Sequence, residues 1–456
     1  MSSFRVLPPS ALSTERLWAT GVGTLALFIA FAGDGIRNLL TIWGFAAISI
    51  LVALVCLVLM IRLRPAVDRT RLPLALIGFL ALAVLSLIWS VYPSATLLTL
   101  TGTALTTIVG VYLALVLSWR EFVQSLAASL GWVLGLSVAF ELWVSVVVRS
   151  PVLPFFSSLD VDDAPLLALW SRNLLFDGGR IQGILGNSNL LSVIALLGIV
   201  VFSLQLADKT VGRVRGFVGL ALAVLVFGLT RSSTMILAAI VAAVTLAAVL
   251  IIRRAATPRA RAAVYAGLAA VAAAGVLFVT VFGDVFLALF GKSSDITGRI
   301  GIWNTVIELA SQRPWLGWGY SSPWIPWVEP FDDLIIRRGV VQLHAHNAWL
   351  DVWFQLGVLG LIVFTAVVVS TLWRSWFLAV DRPRTDLRAD RPYSALSLLP
   401  VLIVVILLVQ SVAESRILIE SGWVLLVAIA VASKQRRVMD AAEQPDLTPV
   451  VIESGR

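Results

Sequence analysis

The chain is written in long apolar runs separated by short polar breaks. Twelve runs approach the ~20 mostly apolar residues that a helix needs to cross a bilayer. They fall near residues 17–33, 39–61, 72–91, 96–118, 122–147, 186–207, 216–230, 233–252, 263–282, 347–372, 394–412 and 418–433. Only the breaks Thr230–Thr234 and Glu414-Ser415-Arg416 divide the pairs at 216–252 and 394–433. The expected fold is an all-α polytopic membrane protein of about 12 transmembrane helices. The first run carries no small-residue cleavage site followed by a soluble domain, and a second run follows at once. It is therefore expected to be a retained helix rather than a cleaved signal.

Charge orients these spans. With the N-terminus in the cytoplasm, the cytoplasmic segments carry 23 of the 34 Lys/Arg and the outer ones 11, the bias expected of a positive-inside topology. The organisation read from this is a cytoplasmic N-terminus (1–16), a membrane domain (17–433) and a cytoplasmic C-terminal tail (434–456). Two outer connections, 148–185 and 283–346, are long, whereas the other outer ones are only a few residues. Long loops of this kind are usually functional or disordered, and these two have the composition of ordered segments. The second holds Trp303, Trp315, Trp318, Trp324 and Trp327 and a stretch of helical character at 303–312. Tryptophan close to a membrane face suggests a segment lying in the interface. Neither a solenoid-like repeat nor a likeness between the two halves is visible.

Composition supports the membrane reading. The chain is 59% hydrophobic and 13% charged, whereas soluble proteins are about 45–50% apolar and about 25% charged. The single cysteine, Cys56, lies in an apolar run; no internal disulfide can form, and core packing is its expected role. The basic residues are 31 Arg and 3 Lys. That skew points to a GC-rich genome rather than to a nucleic-acid partner.

Candidate chemistry gathers on the outer side. His344 and His346 are the only two histidines, placed just before the tenth run. In an extended backbone they point the same way, and in a helix they diverge by about 200°. A helix N-terminus offers free N–H groups and partial positive charge, favouring bound anions and a neutral imidazole. Such an imidazole could accept a proton from an attacking hydroxyl. No HExxH-like spacing accompanies the pair, and interfacial histidines without chemistry are the plain alternative. Arginines retained on the outer face are the second signal: Arg180 in Gly179–Asn189, Arg299, Arg231 and Arg416. Each could snorkel to lipid phosphates, or grip a phosphate substrate through its guanidinium. The Gly179–Gly186 stretch lacks the Walker and Rossmann patterns. The loop carboxylates are expected to pair with loop arginines.

Several of these stretches resemble one family. His346-Asn347, nine residues, then Gly357-Val358-Leu359-Gly360 fits the pattern H[NSQ]-x9-G-x-x-[GTY]. That pattern resembles the signature of bacterial O-antigen ligases, whose superfamily includes O-antigen and exopolysaccharide polymerases. Arg299 to Trp303 and Pro314 to Gly319 resemble the family's R-x-x-x-W and P-x-x-G-x-G block. Gly179-Arg180, Gly183 and Asn187-Ser188-Asn189 resemble its GR-x-x-G-x-x-x-N-P-N block, with Ser188 where proline is usual. Arg231-Ser232 resembles an SR element, with Thr230 replacing its serine. These blocks cover roughly 175–375 in order and do not separate ligase from polymerase.

The resemblance implies a membrane-embedded glycosyltransferase of GT-C type. It would transfer glycan from an undecaprenyl-diphosphate-linked donor to a sugar hydroxyl, an acceptor glycan or lipid-glycan, at the outer face of the bacterial cytoplasmic membrane. It implies inversion at the anomeric centre with no metal and no nucleotide cofactor. His346 would then be the base or position the acceptor, with Arg180 and Arg299 on the diphosphate. Arg231, Asn347 and His344 are further substrate-binding candidates; Arg416 is one by position alone. Membrane lipids are the remaining expected partners. A twelve-span transporter or flippase is the alternative, disfavoured because Glu141 and Glu420 are almost the only charges within the runs. A non-catalytic envelope scaffold is a third reading, in which His346 and the arginines would tolerate alanine.

Overall fold

Backbone in hydrocarbon must satisfy its own N–H and C=O groups, so apolar runs of this length fold as helices. A computed structural model describes residues 9–255, 257–289, 293–337, 339–381 and 393–435. The remaining residues, including most of the expected C-terminal tail and part of the connection after residue 381, lie outside that description. The helices are α1 (Pro9–Phe31), α2 (Gly33–Leu63), α3 (Leu74–Leu85), α4 (Pro93–Leu115), α5 (Trp119–Trp143), α6 (Ser188–Ala207), α7 (Arg213–Thr230), α8 (Ser233–Arg254), α9 (Pro258–Leu289), α10 (Ser293–Gln312), α11 (Ala348–Val380), α12 (Leu399–Ser411) and α13 (Glu420–Lys434). A small hairpin pairs β1 (Ile336–Arg337) with β2 (Val340–Val341). Each of the twelve expected runs overlaps a helix, α10 being the additional one. Among the described residues, α2, α4, α5, α6, α7, α8 and α11 are by themselves long and apolar enough to cross a membrane, while α3 and α12 are shorter apolar helices. The protein is an all-α, multi-pass membrane protein.

Polar ties sort the connections into two ends. At the end holding the starts of α1 and α5, Arg16 bonds Glu121 at 2.9 Å. There too Gln435 holds the α2–α3 connection through Asp68 and Arg71, Asp208 accepts from Ser394 and Ala395, and Arg253 donates to the Ala379 carbonyl. The opposite end gathers the α1–α2, α3–α4, α5–α6, α7–α8, α10–α11 and α12–α13 connections. Six helices, α2, α4, α6, α8, α11 and α13, therefore start at that opposite end. Because α1, α3, α5, α7, α10 and α12 end there, helix N-termini and C-termini alternate across this end.

The long connection ahead of α11 forms a cap on this end. Its core is aromatic: Tyr92, Trp324, Phe331 and Phe354 are all buried. Tyr92 and Phe331 meet edge to face at 4.7 Å, and Trp324 stacks on Phe331 at 5.6 Å. The tryptophans expected to lie in the interface thus have different roles. Trp324 is core. Trp303 and Trp318 donate to the carbonyls of Ala345 and Leu309. Trp315 and Trp327 are exposed.

A break in α11 seats the cap. Gly357 has φ +65° inside that helix, a conformation open to glycine and strained for other residues. The turn it opens is filled by backbone of residues 314–319. Trp318 N and Gly319 N donate to Phe354 O and Gln355 O at 3.0 and 2.9 Å, while Val358 N donates back to Pro314 O at 2.8 Å. A Cβ on Gly357 would collide with the Trp315 carbonyl. The two glycine patterns, H-N-x9-G-x-x-G and P-x-x-G-x-G, are therefore two sides of one seam. Gly360 looks onto Val352 and Leu356 of its own helix. The seam's far side rests on the α3–α4 connection, where Tyr92 donates to Gly319 O at 2.8 Å and Ser86 accepts from Tyr320 N at 3.0 Å.

Gly357→Ala is expected to destabilise the protein by at least about 2 kcal/mol, combining left-handed strain with overpacking. Thermal unfolding in detergent checks this; an unchanged midpoint would show that the seam does not need glycine.

Candidate active site

Asn347 starts α11: its side-chain oxygen accepts from Trp349 N at 3.0 Å and Leu350 N at 3.3 Å. Its candidate role as a substrate ligand thus meets a carboxamide oxygen already engaged in an N-cap. One turn in, buried Asp351 accepts from Ala345 N at 3.2 Å with both oxygens and takes the Ser415 hydroxyl. A single carboxylate so ties the histidine loop to the α12–α13 turn. His346, between these anchors, has φ +51°. A non-glycine residue held in this region marks a position fixed by its surroundings. Its amide donates to His344 Nδ1 at 3.1 Å.

The imidazole of His346 is held at both nitrogens. Nδ1 lies 3.0 Å from Glu414 Oε2, and Nε2 lies 3.0 Å from Gln342 Oε1. Arg299, on α10, donates to the other Glu414 oxygen at 3.1 Å. Glu414 is buried. Burial alone would raise its carboxyl, but His346, His344 and Arg299 outweigh that and hold it well below the usual carboxylate range. It is therefore an anion shared by an imidazole and a guanidinium. His344 behaves oppositely: burial first, then the neighbouring His346, pushes its imidazole down to about 3. Because Nδ1 of His344 accepts a peptide N–H, the proton of its neutral ring sits on Nε2.

Arg416 joins a closed set of four charges beside this triad. It pairs with Asp34 and Glu420, and Arg37 pairs with the same two carboxylates, Glu420 at 2.6 Å. Asp34 and Glu420 lie in the first turns of α2 and α13, where negative charge is favoured. Asp34, Arg416 and Glu420 line a small cavity together with Gln410, Phe31, Leu197, Leu407 and Leu425. Arg180 and Arg231 form a second cluster, built on α6, α7 and α8. Arg180 donates to Thr230 O at 3.0 Å and to Asn189 at 2.7 Å, and Asn189 also accepts from Ser232 at 2.9 Å. Exposed Arg231 sits at the left-handed C-cap of α7, with its guanidinium beside Gly178. The loop carrying Arg180 is fixed from below: buried Glu141 of α5 accepts from Gln182 N, Gly183 N and the Ser171 hydroxyl at 2.7–2.9 Å.

Sequence reasoning placed His346, Arg299, Arg180 and Arg416 among the candidates but missed Glu414, Gln342, Asp34 and Arg37. The ion pairs of Arg299 and Arg416 are made with carboxylates at helix ends, not with the loop carboxylates expected to pair. Donor atoms of His344, His346 and Glu414 lie within 4.8 Å of one another, close enough for a cation to bridge. Each is already engaged: His344 Nδ1 by the peptide, and Glu414 by Arg299 and His346.

This geometry lies largely within a stretch with known relatives. Residues 217–365, from α7 into α11, match the protein family described as O-antigen ligase. An exopolysaccharide production protein, ExoQ, of Rhizobium meliloti is 33% identical over 112 residues, 24% of this chain and 25% of that protein. An O-antigen ligase of Pseudomonas aeruginosa is 30% identical over 78 residues, 17% of this chain and 18% of the relative. The matches thus span a quarter or less of the length of these curated relatives. The matched stretch contains Arg231, Arg299, the cap, His346 and the seam glycines, and over it the chain is similar to the O-antigen ligase family.

Proposed function

We propose that the protein transfers glycan from a polyprenyl-diphosphate-linked donor to a sugar hydroxyl at the outer face of the cytoplasmic membrane, in surface-polysaccharide synthesis. The observation that carries this reading is the His346–Glu414–Arg299 triad under the cap. Departure of a lipid diphosphate develops negative charge on phosphate. Fixed guanidinium groups and helix N-termini stabilise such charge without reorganising. Arg299 and the Arg180–Arg231 cluster supply the guanidiniums. His346 takes the proton of the attacking hydroxyl at Nε2, while Glu414 on Nδ1 orients the ring and balances the charge it gains. Inversion follows from one displacement at the anomeric carbon. All the groups needed are side chains of this chain, so the proposed reaction uses neither metal nor nucleotide.

Purified protein should lengthen or transfer the glycan of a synthetic undecaprenyl-diphosphate-linked oligosaccharide, with or without a chelator. His346→Ala is expected to lower the rate by about 10²–10⁴-fold and Arg299→Ala by about 10²–10³-fold, at normal expression. Full activity of both variants would refute the catalytic reading, and loss of activity in chelator would refute its metal independence. Glu414→Gln keeps shape but removes the anion, and the expected loss of rate is about 10²-fold or more in the same assay. Wild-type rates there would leave Glu414 a structural residue.

A further inference from the structure

Gln342 is the side chain on the one nitrogen the reaction needs. It follows β2 directly, and its backbone N donates to Ile335 O at 2.9 Å. Its amide is oriented: the NH2 group donates to Val340 O at 2.9 Å, which turns Oε1 toward His346 Nε2 at 3.0 Å. A carboxamide oxygen only accepts, so Nε2 must donate. Nδ1 also faces an acceptor, the Glu414 carboxylate. With acceptors at both nitrogens, His346 is doubly protonated in this arrangement and has no lone pair with which to act as a base.

We infer that Gln342 is a latch on His346: it holds the Nε2 proton in place and occupies the position of the acceptor hydroxyl until the acceptor displaces it. The inference rests on the proposed role of His346 as base. Its consequence is protection of the donor. A polyprenyl-diphosphate glycan is activated toward water as well as toward sugar, and water lacks the additional contacts that let a glycan acceptor compete for this position. When the acceptor docks, Gln342 Oε1 is displaced and the Nε2 proton passes to solvent. The acceptor hydroxyl then gives its proton to Nε2 as its oxygen bonds to the anomeric carbon. The bond from that carbon to the diphosphate breaks, and the diphosphate leaves with the electron pair. Hydrolysis is the same step with water as the nucleophile, and it requires the same free nitrogen.

The test counts two products of one reaction on the undecaprenyl-diphosphate oligosaccharide: free glycan from hydrolysis and glycan joined to another glycan. Gln342→Leu removes the acceptor for Nε2–H at similar volume. The ratio of hydrolysis to transfer should rise roughly fivefold, the weight of one hydrogen bond. Gln342→Glu places a carboxylate on the imidazolium and should depress both products together. An unchanged ratio in Gln342→Leu, or a rise of either product in Gln342→Glu, overturns the latch. His346→Ala separates the two ideas. If it retains transfer, the base itself is misassigned. If it abolishes both products while Gln342→Leu keeps the wild-type ratio, only the latch fails.

Discussion

The seam between residues 314–319 and the broken turn of α11 is the constraint on which the site depends. A helix interrupted in an apolar surrounding strands N–H and C=O groups that cost several kcal/mol each if left unmade. Here a loop backbone, not water, takes them up. The repair is also a positioning device, because a backbone-to-backbone fit has one register. It fixes the loop after α10, and so the helix carrying Arg299, against the helix whose N-terminus carries His346. The aromatic core of Tyr92, Trp324, Phe331 and Phe354 then fills the remaining space.

Charge on this end follows from helix direction. Helix first turns favour negative charge, and Asp34 and Glu420 occupy the first turns of α2 and α13. Asp34 and Glu420 neutralise Arg37 and Arg416 in a closed quartet. Glu414 serves Arg299 and His346 together, one anion shared by both. Carboxylates shared between cationic groups hold Arg299, Arg37 and Arg416 close together against their mutual repulsion.

What was legible in the sequence was local. Apolar runs mark the helices because span length and hydrocarbon thickness must match. His346-Asn347 was legible because an asparagine cap and the residue before it are adjacent in the chain. Arg180 and Asn189 stand nine residues apart in a single loop. Glu414 was visible only as part of a break between two runs, since its partners are 68 and 115 residues away. Arg37 and Glu420 are 383 residues apart, and no periodicity links them. Gly357 was visible as part of a motif, but the φ that makes it a break depends on a loop some 40 residues earlier.

The two histidines show how position in the network, not residue type, decides role. They are two residues apart, and their rings meet at 4.2 Å. His344 receives a peptide N–H on Nδ1 and is buried beside a second imidazole. Its neutral form is favoured, and its remaining Nε2–H is a donor that cannot take a proton. His346 faces the Glu414 carboxylate on one nitrogen and the Gln342 carboxamide oxygen on the other. Two cations at that separation would repel strongly in a poorly solvated site. One ring must therefore stay neutral for the other to cycle its charge, and the peptide bond to His344 selects which.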